Sequence, residues 1–197
     1  MTEKKRTPER EETIRRVLGF RQKSLTLVLS NIHDPHNVSA IYRSCDAFGV
    51  PEVHLHYTDT PFPTLGAKSS ASARKWVVSR RHKDLHKMVA DLRGKGFCLL
   101  ATSCSKEAKP LHGYDLTRPT AFILGNEHRG VDEAFVPLVD GEVFIPMYGM
   151  IQSFNVSVAA AILLAEASRQ RREKGMYDSS EFSAEELEAL YANWIGR

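Results

Sequence analysis

The sequence predicts an α/β domain built on a parallel sheet. Short apolar runs of strand length alternate with longer stretches of helical periodicity, which is the pattern of repeated strand and helix units. Polar turns containing Gly or Pro follow three of these runs, within residues 31–43, 122–131 and 145–164. Loops converge beyond the carboxyl ends of the strands in such a sheet, so that edge is where a ligand site is expected.

An amphipathic helix outside the core is predicted first, over residues 9–19. Ile14, Val17 and Leu18 stand at i, i+3 and i+4, and the opposite face is basic. The core then opens with a strand at Leu25–Ser30, whose Leu and Val content suits burial on both faces.

Further elements follow at regular intervals. A helix is expected to begin at Pro35 or Asn37 and to end near Gly49, and residues 53–57 alternate as a strand does. The Pro-, Gly- and Ser-rich residues 58–74 predict a long connection with a short helix near Ser69. The remaining core strands are predicted at 76–78, 97–102, 121–124 and 143–145, and the remaining core helices at 84–92 and 155–174.

A last helix is predicted after Phe182. Ser183 and Glu186 form a capping box, which marks a helix amino terminus. A stripe at helical spacing should pack on this domain or on a partner; its members are Leu187, Leu190, Tyr191 and Trp194. We therefore expect three parts: an extension over residues 1–24, a core domain over 25–177 and a second extension over 178–197.

Composition limits the classes of function. The 197 residues include 27 Lys and Arg against 24 Asp and Glu, a formal charge of +3 that favours nucleic acid only weakly. The distribution is more informative, because basic residues cluster near both ends, at Arg10, Arg15, Arg16, Arg21, Arg169 and Arg171. Such clusters suit a polyanion. Ordinary solvated helix faces are the alternative.

Cysteine and histidine content predicts a reduced protein without a metal. Cys45, Cys98 and Cys104 have neither zinc-pair nor disulfide spacing, which indicates free thiols in a cytoplasmic protein. His54 and His56 alternate along a strand, yet no carboxylate or cysteine stands at ligand spacing, so no metal is expected. The sequence has no signal-peptide core and no run of about 18 apolar residues, so no membrane association is expected either.

The polar turns predict a largely neutral pocket. The sequence contains no G-x-G-x-x-G and no P-loop motif, which argues against a common dinucleotide site and against phosphate transfer. Thr102, Leu124, Gly125 and Ile145 stand at strand ends, and residues 152–155 precede the long helix. Backbone amides and apolar side chains of this kind could hold a nucleoside. The alternative is that Ser153 or Asn155 merely caps the helix.

In order and spacing, the three turn segments resemble the three motifs of the SPOUT superfamily of methyltransferases, and within it the TrmH (SpoU) branch, which methylates the ribose 2′-hydroxyl of tRNA. The resemblance covers residues 25–177. It implies a Rossmann-like sheet with a deep trefoil knot in its carboxyl-terminal part, flanked here by terminal helices. It also implies a homodimer that binds S-adenosylmethionine beside its interface.

The resemblance also implies roles for individual residues. The first motif places the catalytic arginine at Arg43 and a supporting asparagine at Asn37, and the second places Glu127 beside the pocket. The third motif places Ser153 and Asn155 near the reacting groups. Cofactor contacts are expected from Thr102, Leu124, Gly125, Ile145 and Phe154.

The chemistry of Arg43 follows from its side chain. A ribose hydroxyl is a poor nucleophile, so its proton must be removed or the developing oxyanion stabilised. Accounts of the family have used the arginine as a base, but a guanidinium stays protonated in proteins. We expect Arg43 to clamp a neighbouring phosphate and to stabilise the oxyanion.

The extensions indicate which RNA is modified. Relatives acting on ribosomal RNA often carry a separate amino-terminal RNA-binding domain, and minimal wobble-ribose enzymes tend to lack terminal helices. A basic amino-terminal helix with a carboxyl-terminal helix resembles enzymes that methylate guanosine 18 in the tRNA D-loop. Three alternatives stay open. The first is methylation of ribosomal RNA or of the wobble position of tRNA by the same chemistry. The second is a non-catalytic RNA-binding protein, and the third is a structural domain whose polar turns are only helix caps.

Overall fold

The computed structural model describes residues 7–63, 73–127 and 129–197. Within them lies a seven-stranded sheet in the order β3-β2-β1-β6-β4-β7-β5, and all its strand pairs are parallel. The strands are β1 (Leu25–Ser30), β2 (Glu52–His56), β3 (Val78–His82), β4 (Cys98–Thr102), β5 (Lys109–Pro110), β6 (Thr120–Leu124) and β7 (Gly141–Phe144). The α-helices are α1 (Pro8–Gly19), α2 (Pro35–Ala47), α3 (Ala73–Trp76), α4 (Leu85–Gly94), α5 (Val156–Glu173) and α6 (Ala184–Ile195).

The predicted parallel α/β architecture is confirmed, and most predicted elements appear within a residue or two of their expected bounds. The prediction of a strand over residues 76–78 is wrong, because residues 73–76 form α3 and the strand starts at Val78. That strand is mostly exposed at the sheet edge and reads Val-Ser-Arg-Arg-His, so it lacks the apolar signature of a buried strand. The short helix expected near Ser69 lies outside the described residues.

The strands bury both faces. Leu27, Leu29 and Phe122 point into a cluster under α2 and α5, whereas Val28 and Ile123 point into a second cluster under α4. This alternation along β1 and β6 is the two-residue period of a strand covered by helices on both sides. The knot implied by the family resemblance concerns the path of the chain rather than strand order, and it stays a prediction. None of the helices in the described ranges has the length and apolar character needed to cross a membrane.

The two terminal helices pack on each other. Ile14 and Leu18 of α1 meet Trp194 of α6 in a separate cluster, which shows that the predicted α6 stripe packs within this chain. The expected capping box of Ser183 and Glu186 is present at the start of α6. On the outer surface, Arg15 pairs with Glu188 at 2.6 Å. The extensions therefore form one helical layer.

Two arginines predicted to bind RNA are buried. Arg171 is 0 % exposed, and Arg21, at 1 %, forms an ion pair with Asp46. The guanidinium of Arg171 donates to Leu116 O, Ser24 O and Arg118 O at 3.0 Å each, and its remaining contacts are Gln22, the Ser24 hydroxyl and Glu181. We therefore correct the sequence-based expectation: in this structure both arginines hold segments together and neither is free to contact a phosphate.

A stacked histidine pair connects two strands at the edge of the sheet. Nδ1 of His54 lies 2.9 Å from Nε2 of His82, so at least one ring must be neutral. Burial lowers the pKa of His54 to about 4, an effect that Glu52 opposes and His82 reinforces. Burial also lowers the pKa of His82.

This pair predicts a loss of stability in mild acid. In the unfolded chain the two histidines take up protons near pH 6.5, whereas in the folded chain the pair resists protonation. The contribution of the neutral pair to the free energy of unfolding is therefore complete above pH 6.5 and is lost as the pH falls towards about 4. Between about pH 7 and about pH 5 we expect the free energy of unfolding to drop by about 1–2 kcal/mol from this source. Urea titrations at both values should show a smaller drop in His54→Gln, and an unchanged drop in the exposed control His86→Gln. An equal drop in wild type and His54→Gln would contradict this assignment.

Candidate functional site

A cavity of about 690 Å³ opens at the carboxyl ends of β4, β6 and β7. Its walls come from the turns after these strands and from the loop before α5. All five residues predicted to contact a cofactor line it: Thr102, Leu124, Gly125, Ile145 and Phe154. Ser153, Asn155 and Glu127 line it as well. The structure thus brings the second and third sequence motifs together around one space.

Gly125 sits at a point where the backbone leaves no room for a side chain. After β6 the chain turns back on itself, and Asn126 pairs with Gly130 in an antiparallel bridge. A Cβ atom on Gly125 would lie 2.0 Å from the Gly130 carbonyl oxygen and 2.2 Å from the Val131 nitrogen. Gly130 itself has a φ of +73°, which glycine adopts without strain. These glycines keep the wall of the cavity close to the end of the sheet.

Asn37, Glu127 and Asn155 form a hydrogen-bonded chain at the rim of the cavity. The Asn37 amide donates to Oε1 of Glu127 at 2.8 Å, and the Asn155 amide donates to Oδ1 of Asn37 at 3.1 Å. Oδ1 of Asn155 in turn accepts from the amide and hydroxyl of Ser157 in the first turn of α5. Asn155 is therefore a helix cap and a member of the site at the same time.

The charge state of Glu127 determines which group donates and which accepts in each hydrogen bond of this chain. Burial by itself would raise the pKa of Glu127, but the Asn37 amide and backbone amides including that of His33 outweigh it, so the pKa lies below its usual value. The other carboxylate oxygen accepts from His33 N at 3.1 Å. Because both oxygens already accept hydrogen bonds, Glu127 can orient Asn37 and Asn155 but is poorly placed to act as a proton acceptor.

Arg43 lies apart from these three residues. It is exposed on α2, and its side chain forms no hydrogen bond or ion pair with another residue of the described ranges. It does not line the cavity. The guanidinium is consequently free to meet an anion that approaches from outside the chain.

The apolar side of the cavity was missed by sequence reasoning. Val131, Phe135 and Val136 contribute to its wall, the latter two from a 3-10 helix at Glu133–Leu138. The one sequence feature that could have indicated this helix is Asp132, which caps it by accepting a hydrogen bond from the Ala134 backbone amide. A six-residue helix containing Pro137 has too little periodicity to be recognised from sequence.

The other arginines predicted to bind RNA lie on α1 and near the carboxyl-terminal end of α5. Arg10 donates to the carbonyl of Arg197, and Arg169 on α5 pairs with Glu166 and Glu173. Arg15, as described, pairs with Glu188, and Arg16 is exposed on the same helix. A phosphate would have to compete with carboxylates for Arg15 and Arg169.

An open parallel sheet with a cavity at its carboxyl edge and an amide–carboxylate chain at the rim defines a ligand-binding α/β enzyme domain. A sequence profile described as the SpoU rRNA Methylase family matches residues 24–165, so the chain belongs to the SpoU methylase family. It is 43% identical to a tRNA (guanosine(18)-2′-O)-methyltransferase of Thermus thermophilus, over 98% of both chains.

Solved structures agree with this family assignment. The crystal structure of an Aquifex aeolicus TrmH/SpoU tRNA modifying enzyme superimposes with a TM-score of 0.89, at 37% identity and 95% coverage of both chains. AviRb of Streptomyces viridochromogenes, a SpoU methyltransferase solved in complex with AdoMet, has a TM-score of 0.69 at 25% identity, over 79% of this chain and 64% of its own.

Proposed function

We propose that this protein transfers a methyl group from S-adenosylmethionine to the ribose 2′-hydroxyl of guanosine 18 in tRNA. The near-complete alignment with the Thermus thermophilus enzyme carries the proposal, since it includes the terminal helices as well as the sheet. The hydrogen-bonded chain of Asn37, Glu127 and Asn155 at the cavity supports it independently.

The cavity suits S-adenosylmethionine in size. Backbone and apolar groups form most of its wall, with Glu127, Glu142 and Arg129 as its charged members, and the tight turn at Gly125 presents main-chain atoms where a larger residue would intrude. Thr102, Leu124, Ile145 and Phe154 would cover the nucleoside part. When bound, the cofactor supplies an electrophilic methyl group on a sulfonium.

The residues at the rim prepare the other reactant. Glu127 fixes the Asn37 amide, whose oxygen fixes the Asn155 amide, so three polar side chains hold one geometry before the RNA arrives. Ser153 is exposed in the adjoining loop and can position the ribose. Arg43 clamps a phosphate next to the target ribose and stabilises the oxygen that gains negative charge, while phosphate or water accepts the proton.

A homodimer fits the apolar surface beside the cavity. Tyr148 and Met150 are each 98 % exposed in the loop that precedes α5, and Ile151 and Val158 continue this apolar patch. Apolar patches of this kind mark association surfaces.

The RNA path in this proposal runs along α1 and the carboxyl-terminal end of α5. Arg10, Arg15 and Arg16 of α1 and Arg169 of α5 supply its phosphate contacts. Residues 1–24 then act as an RNA-gripping extension of the core domain 25–177, which includes the implied knot, and residues 178–197 support α1 through α6. The free cysteines and the tRNA substrate favour a cytoplasmic location.

Gly125→Ala is expected to weaken S-adenosylmethionine binding at least 10-fold. The new methyl group would have to displace the Gly130 and Val131 backbone by over about 1 Å, and shifts of that size in a binding site are costly. Calorimetric titration measures the effect. Gly113→Ala is the matched control, because its added Cβ would meet only Pro110 Cγ at 3.8 Å. Equal affinities in both variants would remove Gly125 from the cofactor site.

The RNA class is tested with labelled S-adenosylmethionine. The protein is incubated separately with an unmodified tRNA transcript and with transcripts of ribosomal RNA domains. Label in tRNA alone supports the proposal, whereas label in ribosomal RNA alone would move the same chemistry to another substrate. Cofactor binding without transfer to any RNA would favour a non-catalytic member of the family.

A further inference from the structure

A second cavity, of about 590 Å³, adjoins the first at the carboxyl ends of β1 and β2. The two share the turn after β6, and Asn126 and Arg129 line both. His33, whose backbone amide binds Glu127, lines the second cavity too. Whatever occupies it therefore lies directly beside the side chains that position the reacting ribose.

Asn31 builds the floor of this second cavity. In the described ranges it alone among non-glycine residues has a positive φ, +49°. Its side-chain oxygen accepts hydrogen bonds from the backbone amides of Thr58 at 3.0 Å and Asp59 at 3.3 Å. Its backbone carbonyl accepts one from the side-chain amide of Asn126 at 2.9 Å. A strained residue held by this many contacts fixes the loops after β2 and β6 relative to each other.

The side chains around this floor combine carboxylates with a guanidinium. Asp59, Asp132 and Glu133 line the cavity, and Arg129 faces Asp59 with an N–O separation of 3.7 Å. That separation exceeds a direct hydrogen bond. Asp132 is already engaged as a helix cap, whereas Oδ2 of Asp59 contacts, among the described residues, only Arg129, and that contact is loose. The Thr60 hydroxyl, which also lines the cavity, is buried and has no hydrogen-bond partner within the described ranges.

We propose that this second cavity receives the guanine base of the target nucleoside and that Asp59 and Arg129 determine the specificity for it. The proposal rests on the proposed function and assigns the base-recognition site. Asp59 accepts hydrogen bonds from guanine N1–H and the N2 amine, and Arg129 donates to O6. The base leaves its stack to enter the cavity while its ribose stays at the chain of Asn37, Glu127 and Asn155.

The charge arrangement distinguishes guanine from adenine. Guanine presents two adjacent donors and one acceptor on its Watson–Crick edge, which match a carboxylate beside a guanidinium. Adenine has an acceptor at N1, so the half-exposed Asp59 carboxylate would face a lone pair where guanine presents a donor. Exclusion of the wrong base then comes from repulsion as well as from missing contacts.

The experiment compares methyl transfer to tRNAs with guanosine or inosine at the target position. Inosine keeps N1–H and O6 but lacks the N2 amine, so wild type should prefer guanosine about 10-fold in kcat/KM. Asp59→Asn should lose about 10- to 100-fold on guanosine, with a guanosine-to-inosine ratio close to one. Asp91→Asn makes the same substitution at an exposed position of α4 that lines neither cavity, and it should keep the wild-type ratio.

Two results would overturn the proposal. The first is a guanosine-to-inosine ratio in Asp59→Asn equal to that of wild type. The second is an equal change of this ratio in both variants, because the effect would then come from overall charge. Unchanged S-adenosylmethionine affinity and melting temperature in Asp59→Asn separate recognition from misfolding. If the wild-type protein methylates no tRNA, the proposed function fails, and the guanine site is tested separately by titration with guanosine 5′-monophosphate. An affinity for this nucleotide that falls at least about 10-fold in Asp59→Asn supports the guanine site. No binding to the wild-type protein, or equal binding to both proteins, contradicts it.

Discussion

Replacing Arg43 with alanine is expected to lower kcat for methyl transfer by about 10²- to 10³-fold, the usual effect of removing a donor to a developing oxyanion. The side chain is exposed and without side-chain partners in the described ranges, so its loss should leave the fold intact. Arg43→Lys keeps the charge but not the planar pair of donors, and we expect it to lose at least about 10-fold. Single-turnover rates with saturating cofactor and tRNA measure both variants.

Arg93→Lys is the control for the Arg43 variants. Arg93 is an exposed arginine in the last turn of α4, whose chain continues into the amino end of β4, at the sheet edge opposite the cavity. We expect it to retain the wild-type rate. Near-normal turnover of Arg43→Lys with unchanged tRNA affinity would disprove bidentate clamping, and near-normal turnover of Arg43→Ala would remove Arg43 from the reaction.

Replacing Arg171 with alanine is expected to lower the free energy of unfolding by about 3–5 kcal/mol. Burial lowers the pKa of the Arg171 guanidinium, and Glu181 acts in the opposite direction. The truncation would leave the Glu181 carboxylate and the carbonyls of Leu116, Ser24 and Arg118 with fewer donors in a closed space. These groups hold three separate segments of the chain against α5.

Chemical unfolding of Arg171→Ala and its neighbour Arg172→Ala measures this effect. Arg172 is exposed on the next position of the same helix, so its substitution should change stability by less than about 0.5 kcal/mol. Equal stabilities of the two variants would show that the buried network contributes little. If Arg171→Ala weakened tRNA binding while its stability stayed at the wild-type value, the original RNA-binding expectation would be restored.

Arg169 and Arg171 show what sequence can and cannot predict. Both stand in α5 with basic neighbours, and no local pattern separates the exposed Arg169 from the buried Arg171. Burial of Arg171 depends on acceptors from residues 22–24, 116–118 and 181, which meet only in the folded chain. Charge clustering therefore predicted a basic surface but not which of its members face solvent.

The sheet could be predicted because its central strands are apolar and its helices are capped by recognisable residues. The edges could not: β3 is charged, and β5 has two residues, one of them Pro110, which a sheet tolerates at its edge. The position of Asn37, Glu127 and Asn155 beside one cavity was implied by the three motifs. Their mutual hydrogen bonds and the second cavity around Asn31 depend on loop geometry, which spacing along a chain does not encode.

We propose that the cavity and its rim methylate one ribose, that of guanosine 18. The most direct test incubates the protein with S-adenosylmethionine and an unmodified tRNA transcript, digests the RNA and locates the methylated nucleoside by mass spectrometry. A parallel transcript carries adenosine at position 18. We expect 2′-O-methylguanosine at position 18 of the first transcript and no methylation of the second. Methylation at another position, or equal methylation of both transcripts, would contradict it.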